Sequence, residues 1–178
     1  MVIIVWSLRR ASVNRASTRA AMALLPDDVD AAIHPIADIP LYNGDLEAQG
    51  LPESVAKLHE VAARSDGLLF FTPEYNSSFP ALTKNVIDWL SREPKGWTGK
   101  AVSAVATSPG RRAGAGVLAH FEQSLSQLPV RLFEELLGIG SYRYKLDESG
   151  ELTDEATRTE ISHFLARFAD SARSAPEP

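Results

Sequence analysis

A chain of 178 residues is long enough for one domain with a sizeable buried core, and no break in composition marks a second. With 23 acidic against 18 basic residues the formal net charge is −5, and the basic side chains are scattered, so no nucleic-acid partner is expected. The absence of cysteine excludes disulfides, thiolate catalysis and thiolate metal sites. No apolar run is long enough to span a membrane, and the initial one is too short for a signal-peptide core; a cytoplasmic protein with no membrane partner is the expectation.

The elements alternate. Val2 to Trp6 reads as a buried first strand, followed by a polar turn and a helix over Val13 to Leu25 whose apolar face is Val13, Ala16, Ala20 and Leu24 and which Pro26 ends. A second strand over Ala31 to His34 precedes a helix over Glu53 to Arg64, with Leu51, Val55, Leu58 and Ala62 on one face. The short, nearly all-apolar run Gly67 to Thr72 suits a strand covered on both faces, as in a parallel sheet. Pro73 ends it, and after a polar stretch Leu82, Val86, Trp89 and Leu90 recur at helical spacing over Pro80 to Ser91. Lys84, Asn85, Asp88 and Arg92 fall on the other faces, with Asp88 expected to bond locally. Ala101 to Ala106 reads as a fourth strand, Gly114 to Leu128 as a helix, and Val130 onward as a fifth strand. On the fourth helix Leu118, Phe121, Leu125 and Leu128 suit either the core or a subunit contact. Asp154 to Ala172 is expected to be a last helix with Ile161, Phe164, Leu165, Phe168 and Ala172 inward, and 173–178 a disordered tail. Five such units imply a single α/β domain over 1–172, a parallel sheet with helices on both faces.

Ligands of open parallel sheets lie beyond the carboxyl ends of the strands, so the turns after strands 1, 3 and 4 carry the chemistry. The first, WSLRRASVNR from Trp6 to Arg15, combines short polar side chains (Ser7, Ser12, Asn14) with Arg9 at a strand-to-helix junction. A phosphate needs such charge-assisted donors and exposed backbone N–H groups, although the same pattern also serves as a solvated cap. The third, TSPGRRAGAG from Thr107 to Gly116, lets backbone pass close to a flat ring, or is an ordinary turn. Gly114 to Ala119 (GAGVLA) also satisfies the short dinucleotide fingerprint, with Glu134 and Glu135 near the acidic position. It does not open from the first strand of a βαβαβ unit, so that reading is rejected. His34, His59, His120 and His163 lack metal-ligand spacing and read as surface or core-edge histidines, and no metal is expected. Ser7, Ser12 and Ser108 lack a nucleophile-elbow setting.

Thr72 to Arg92 (TPEYNSSFPALTKNVIDWLSR) resembles the hallmark of the NAD(P)H-dependent FMN reductase family, the flavodoxin-like quinone and chromate reductases, which reads approximately PEYNxSxPxxLKNAIDWLSR. Pro73, Glu74, Tyr75, Asn76, Ser78, Pro80, Lys84, Asn85, Ile87, Asp88, Trp89, Leu90, Ser91 and Arg92 are in register with it. The first turn is similar to the family's GSLRxxSxN loop and the third to its SSxGxxGG loop, with Thr107 in place of a Ser. The resemblance implies a flavodoxin-like three-layer fold, a five-stranded parallel sheet of order 2-1-3-4-5 with helices on both faces. It implies FMN as cofactor, its phosphate on Ser7, Arg9, Ser12, Val13 and Asn14. The ring would lie between Pro73, Glu74, Tyr75, Asn76 and Thr107, Ser108, Gly110, with Glu74 acting mainly through its backbone. It also implies NADPH or NADH as co-substrate, a quinone or similar small-molecule electron acceptor, ping-pong hydride transfer with no catalytic side chain, and a homodimer or homotetramer. Three departures bear on this. Trp6 stands where the family has Gly, either completing the first strand or narrowing the site; Ser77 replaces an aromatic; Ala81 and Thr83 replace Gly and Leu. Arg111 and Arg112 suit the 2′-phosphate of NADPH or are a solvated pair. The other readings are a flavodoxin-type electron carrier and a non-catalytic relative in which Trp6 has weakened FMN binding.

Overall fold

The computed structural model describes residues 1–5, 13–93 and 96–174. β1 (Val2–Val5) lies between β2 (Ala32–His34) and β3 (Gly67–Thr72), and β4 (Ala101–Thr107) follows on the far side of β3, all parallel. β5 (Arg131–Leu132) completes the order β2-β1-β3-β4-β5, the flavodoxin-like arrangement expected from the sequence. Both β3 and β4 are buried along their whole length, as strands covered on two faces must be.

Period-two alternation sorts the core into two layers. Leu68, Phe70, Val102 and Ala104 face α3 (Glu53–Arg64), α4 (Ala81–Arg92) and α5 (Ala115–Leu125). Ile3, Leu69, Phe71 and Val105 face α1 (Val13–Ala23) and α6 (Glu155–Arg173). On α6 the side chains of Ile161, Phe164, Leu165, Phe168 and Ala172 are buried as expected; the helix runs through Arg173, and 175–178 lie outside the described residues. Asp154 starts α6 by accepting the Thr157 N–H at 3.0 Å. α1 and α5 stop short of the expected Leu25 and Leu128, at Ala23 and Leu125. Phe121 and Leu125 are fully buried, which places that face of α5 in the core, while Leu118 and Leu128 are partly buried against it.

Two features differ from the sequence reading. A five-residue helix, α2 (Gly44–Ala48), precedes α3; Asn43 caps it, accepting the Asp45 N–H at 2.9 Å. It has no buried face, so no apolar period announces it. The fifth strand is split: β5 pairs with β4 at Val102, and β6 (Leu137–Ile139) resumes at Val105, five residues of the edge chain spanning three of β4. The excess bulges out and turns Phe133 onto α6, where its ring lies 6.0 Å from Phe164 and 5.7 Å from Phe168. The hydroxyl of Ser103 donates to the Glu135 carbonyl at 2.7 Å, and the Arg167 guanidinium grips the Glu135 carboxylate, holding that carboxyl below its ordinary range.

Candidate active site

The hallmark helix divides its labour by face. On the exposed side Lys84 pairs with Asp88 one turn on, so Asp88 does bond locally. On the buried side Asn85 accepts the Tyr42 N–H at 2.7 Å and donates to the Pro40 carbonyl at 2.9 Å, while the Trp89 indole N–H donates to the same carbonyl at 2.8 Å. Tyr42 packs edge-on against Trp89, centroids 5.1 Å apart, and the Arg92 guanidinium sits 5.2 Å above the Tyr42 ring. The hallmark therefore clamps the segment after β2 onto α4. Sequence reasoning placed Asn85 off the apolar face without a role, because its partners are main-chain atoms more than forty residues away.

Beyond β3, Tyr75 and Ser78 exchange backbone hydrogen bonds (3.1 and 3.0 Å), and Asn76 and Ser77 both have positive φ, 51° and 59°. This is the two-residue turn that demands left-handed backbone at both central positions, which Asn tolerates better than Ser. The turn tip is exposed, Tyr75 at 59 %. The Glu74 side chain reaches away from the tip and accepts the Val117 N–H at 3.0 Å, in the first turn of α5, whose N-cap Gly114 has no side chain to offer. So Glu74 has a side-chain role that the sequence did not suggest. Gly116 makes the approach feasible: a Cβ there would sit 2.8 Å from the Ser77 carbonyl and 2.9 Å from the Glu74 carboxylate. Gly114, at φ 75°, packs so closely that a Cβ would lie 2.5 Å from that of Ala106. These two glycines of the rejected fingerprint serve packing. Nearby, His120 of α5 shares a 2.9 Å hydrogen bond with the Ser78 hydroxyl, a contact nothing in the histidine spacing signalled.

The turn after β4 is braced by the segment after β6. Ser108 N–H donates to Ile139 (3.0 Å), Ser141 N–H to Gly110 (3.0 Å) and Tyr142 N–H to Ser108 (3.2 Å). Gly140 permits this, since a Cβ would meet the Gly110 and Arg111 carbonyls at 3.0 and 3.1 Å. Pro109, Gly110, Arg111 and Arg112 form an exposed tip. Thr107, by contrast, is buried and donates to Oδ1 of Asn14 at 2.5 Å, at the start of α1. Val13 is half-buried beside it. Trp6, Ser7, Arg9 and Ser12 lie outside the described residues.

The turns after β3 and β4 thus stand together at one rim, and the described start of α1 joins them through Asn14. Glu74 is the only acidic residue in the three turns, and its carboxylate is committed to α5, so none of these turns offers a carboxylate to an anionic ligand. A separate cavity of about 470 Å³ lies at the opposite, amino-terminal rim, lined by Met1, Asp28, Arg64, Asp66 and Arg173 among others. There Arg173 pairs with Asp28 at 2.7 Å. Among the described residues no cluster of His, Asp and Glu could hold a metal ion, and no helix is long and apolar enough to cross a membrane.

Residues 1–141 match the family described as NADPH-dependent FMN reductase. The chain belongs to that family. It is 39 % identical over 174 residues to a quinone reductase of Pseudomonas putida, covering 95 % of this chain and 92 % of the other. It is 37 % identical over 161 residues to an NAD(P)H-dependent FMN reductase of Pseudomonas aeruginosa, covering 89 % and 87 %. Among solved structures, FerB of Paracoccus denitrificans, a flavoenzyme NAD(P)H:(acceptor) oxidoreductase, superposes with a TM-score of 0.85 at 31 % identity, covering 98 % of this chain and 97 % of that one. All three match along most of the chain.

Proposed function

We propose that this protein is an FMN-dependent NAD(P)H oxidoreductase that delivers electrons from NADPH or NADH to a quinone or similar small acceptor. The observation that carries the reading is the joining of the start of α1 and the turns after β3 and β4 at one rim, with the lone carboxylate withdrawn onto α5. FMN would supply the chemistry, accepting a hydride from the nicotinamide and passing reducing equivalents to the acceptor in a ping-pong cycle.

The work of the protein is then binding and orientation. Ser7, Arg9, Ser12, Val13 and Asn14 would hold the phosphate, since an anion at a strand-to-helix junction gains from N–H donors and a guanidinium. Pro73, Glu74, Tyr75 and Asn76 on one side and Thr107, Ser108 and Gly110 on the other would flank the ring. Glu74 takes part through its main chain while its carboxylate keeps the turn seated on α5. The bracing of Ser108 and Gly110 by Ile139, Ser141 and Tyr142 pre-organises the second wall, so little reorganisation is needed when ring or acceptor binds. No side chain is assigned as a catalytic acid or base. A homodimer or homotetramer and a cytoplasmic location complete the proposal.

Purified protein should show flavin absorbance near ~450 nm, intrinsically or after adding FMN, and should oxidise NADPH or NADH only when a quinone is supplied. Protein that takes up no FMN would refute the assignment. FMN binding without nicotinamide oxidation would favour an electron carrier instead. Size-exclusion chromatography with light scattering tests the oligomer, and a monomer at micromolar concentration would remove it.

A further inference from the structure

Arg111 and Arg112 stand exposed at the tip of the turn after β4, and the segment bonded to that tip, after β6, carries a third exposed arginine, Arg143. Among the described residues none of these three guanidiniums has an ion-pair or hydrogen-bond partner, whereas Arg19, Arg64, Arg158, Arg167 and Arg173 each hold a carboxylate. Residues 107–116 and 138–146 contain no acid that could pair with them. Lys145, the other cation there, is taken up by α6, donating to the Thr157 hydroxyl at 2.5 Å. Unpaired cations thus gather on two adjoining segments of a chain whose net charge is −5. Their main chain is fixed. Ser141 N–H donates to the Gly110 carbonyl at 3.0 Å, and Gly140 lies so close that a Cβ would meet the Arg111 carbonyl at 3.1 Å. Ala113 and Ser141 are both held in left-handed backbone, φ 53° and 52°, which residues with a Cβ seldom adopt.

We propose that Arg111, Arg112 and Arg143 recognise the 2′-phosphate of NADPH and make it the preferred co-substrate over NADH. This rests on the reading of the rim as a site that a nicotinamide dinucleotide enters. The two coenzymes differ only in that phosphate, a monoester with about 1.5 to 2 negative charges at pH 7. A guanidinium is always charged and presents a planar fork of donors that matches a phosphate. Like charges on adjoining segments repel one another, so an anion among them relieves a cost as well as forming bonds. A dinucleotide whose nicotinamide lies against the wall formed by Ser108 and Gly110 extends its adenosine end over the neighbouring surface. That surface is cationic on the side of the turn after β4, whereas the turn after β3, residues 73–79, holds no cation.

Two readouts test this. FMN-loaded protein is assayed with NADPH and with NADH against a quinone, and calorimetry compares 2′,5′-ADP with 5′-AMP, which differ by the same phosphate and need no turnover. Wild type should have the lower KM for NADPH and should bind 2′,5′-ADP about tenfold more tightly than 5′-AMP. Arg111→Ala/Arg112→Ala should raise the KM for NADPH about tenfold and Arg143→Ala about threefold, while kcat and the KM for NADH change less than about twofold. Arg111→Lys/Arg112→Lys keeps the charge but loses the fork, and should fall between wild type and the alanine pair. Added salt should weaken NADPH more than NADH in wild type, and both alike in the triple alanine variant. Equal use of the two coenzymes by wild type, or a preference unchanged in the variants, would overturn the assignment. So would equal weakening of NADPH and NADH, which would place the arginines on the pyrophosphate that both share. Protein that takes up FMN but oxidises neither coenzyme would remove the dinucleotide reading itself. The arginine surface would then stand or fall on calorimetry: a 2′,5′-ADP preference lost in the triple variant keeps it, and no preference in wild type removes it.

Discussion

Asn85→Ala is the sharpest test of what the hallmark helix does. The side chain is 4 % exposed and makes two hydrogen bonds, accepting from Tyr42 N–H at 2.7 Å and donating to Pro40 at 2.9 Å. The Pro40 carbonyl keeps a partner in the Trp89 indole, but the Tyr42 N–H loses the acceptor it had. Taking about 1 kcal/mol for each bond and ~1 kcal/mol for the stranded amide gives a loss of about 3 kcal/mol. For a chain of this size that corresponds to a fall in Tm of roughly 6–12 °C. The assay is thermal unfolding by circular dichroism, paired with hydrogen exchange at the Tyr42 amide, whose protection should fall more than that of amides in β3 or β4. A Tm within about 1 °C of wild type with Tyr42 still protected would refute the clamp, and with it the claim that this part of the hallmark is structural rather than a ligand contact.

Glu74→Ala removes the only side-chain acceptor that reaches the first turn of α5 from the turn after β3, and at about 1 kcal/mol for a lost cap plus ~0.5 kcal/mol for the helix dipole it should lower Tm by roughly 3–6 °C. Gly116→Ala should be comparably harmful by thermal melt and should weaken FMN as well, because its Cβ displaces Ser77 and Glu74; FMN affinity equal to wild type would show that this turn is not part of the site. Tyr142→Phe should be neutral or stabilising by up to about 1 kcal/mol in urea unfolding, since the buried hydroxyl beside Ser17 makes no hydrogen bond of good geometry among the described residues and burial pushes its pKa up; a loss above that size would mean the hydroxyl is partnered. Burial lowers the His59 pKa from 6.5, opposed by Glu93 and by main-chain bonds to Trp89 and Glu93, and burial lowers that of His34 as well. Below pH 6.5 the unfolded chain therefore binds more protons than the folded one, so this contribution to stability is complete above pH 6.5 and is lost as pH falls toward the folded values. Urea unfolding of His59→Gln should show a shallower decline between pH 6.5 and 5 than wild type, and identical slopes would contradict the assignment.

The parts legible in the sequence were those governed by period and punctuation. Unbroken apolar runs such as Gly67 to Thr72 announced doubly covered strands, and Pro73 and Pro80 bracketed the turn between β3 and α4. What escaped was set by contacts between distant segments. The bulge between β5 and β6 depends on Ser103 and Arg167 receiving Glu135, which no local pattern in residues 130–139 encodes. α2 is short and buries no face, so its only signal was the Asn-Gly-Asp start at its cap.

The same division runs through the site. Resemblance grouped Glu74 with Thr107 as flavin neighbours, yet both side chains are spent on other elements, Glu74 on α5 and Thr107 on α1. Each side chain fastens its turn to a helix, Glu74 to α5 and Thr107 to α1, which leaves the main chain of those turns as what the proposed flavin ring would meet. The residue types at these positions are thereby constrained by the fold itself: Glu74 must accept a helix N–H, Thr107 must donate, and Gly116 must lack a Cβ. A serine at position 107 satisfies that requirement as threonine does, which accounts physically for the exchange of one hydroxyl residue for the other. Valine, equal in shape to threonine, does not, and the contrast between those two substitutions separates a hydrogen-bonding role for position 107 from a merely space-filling one.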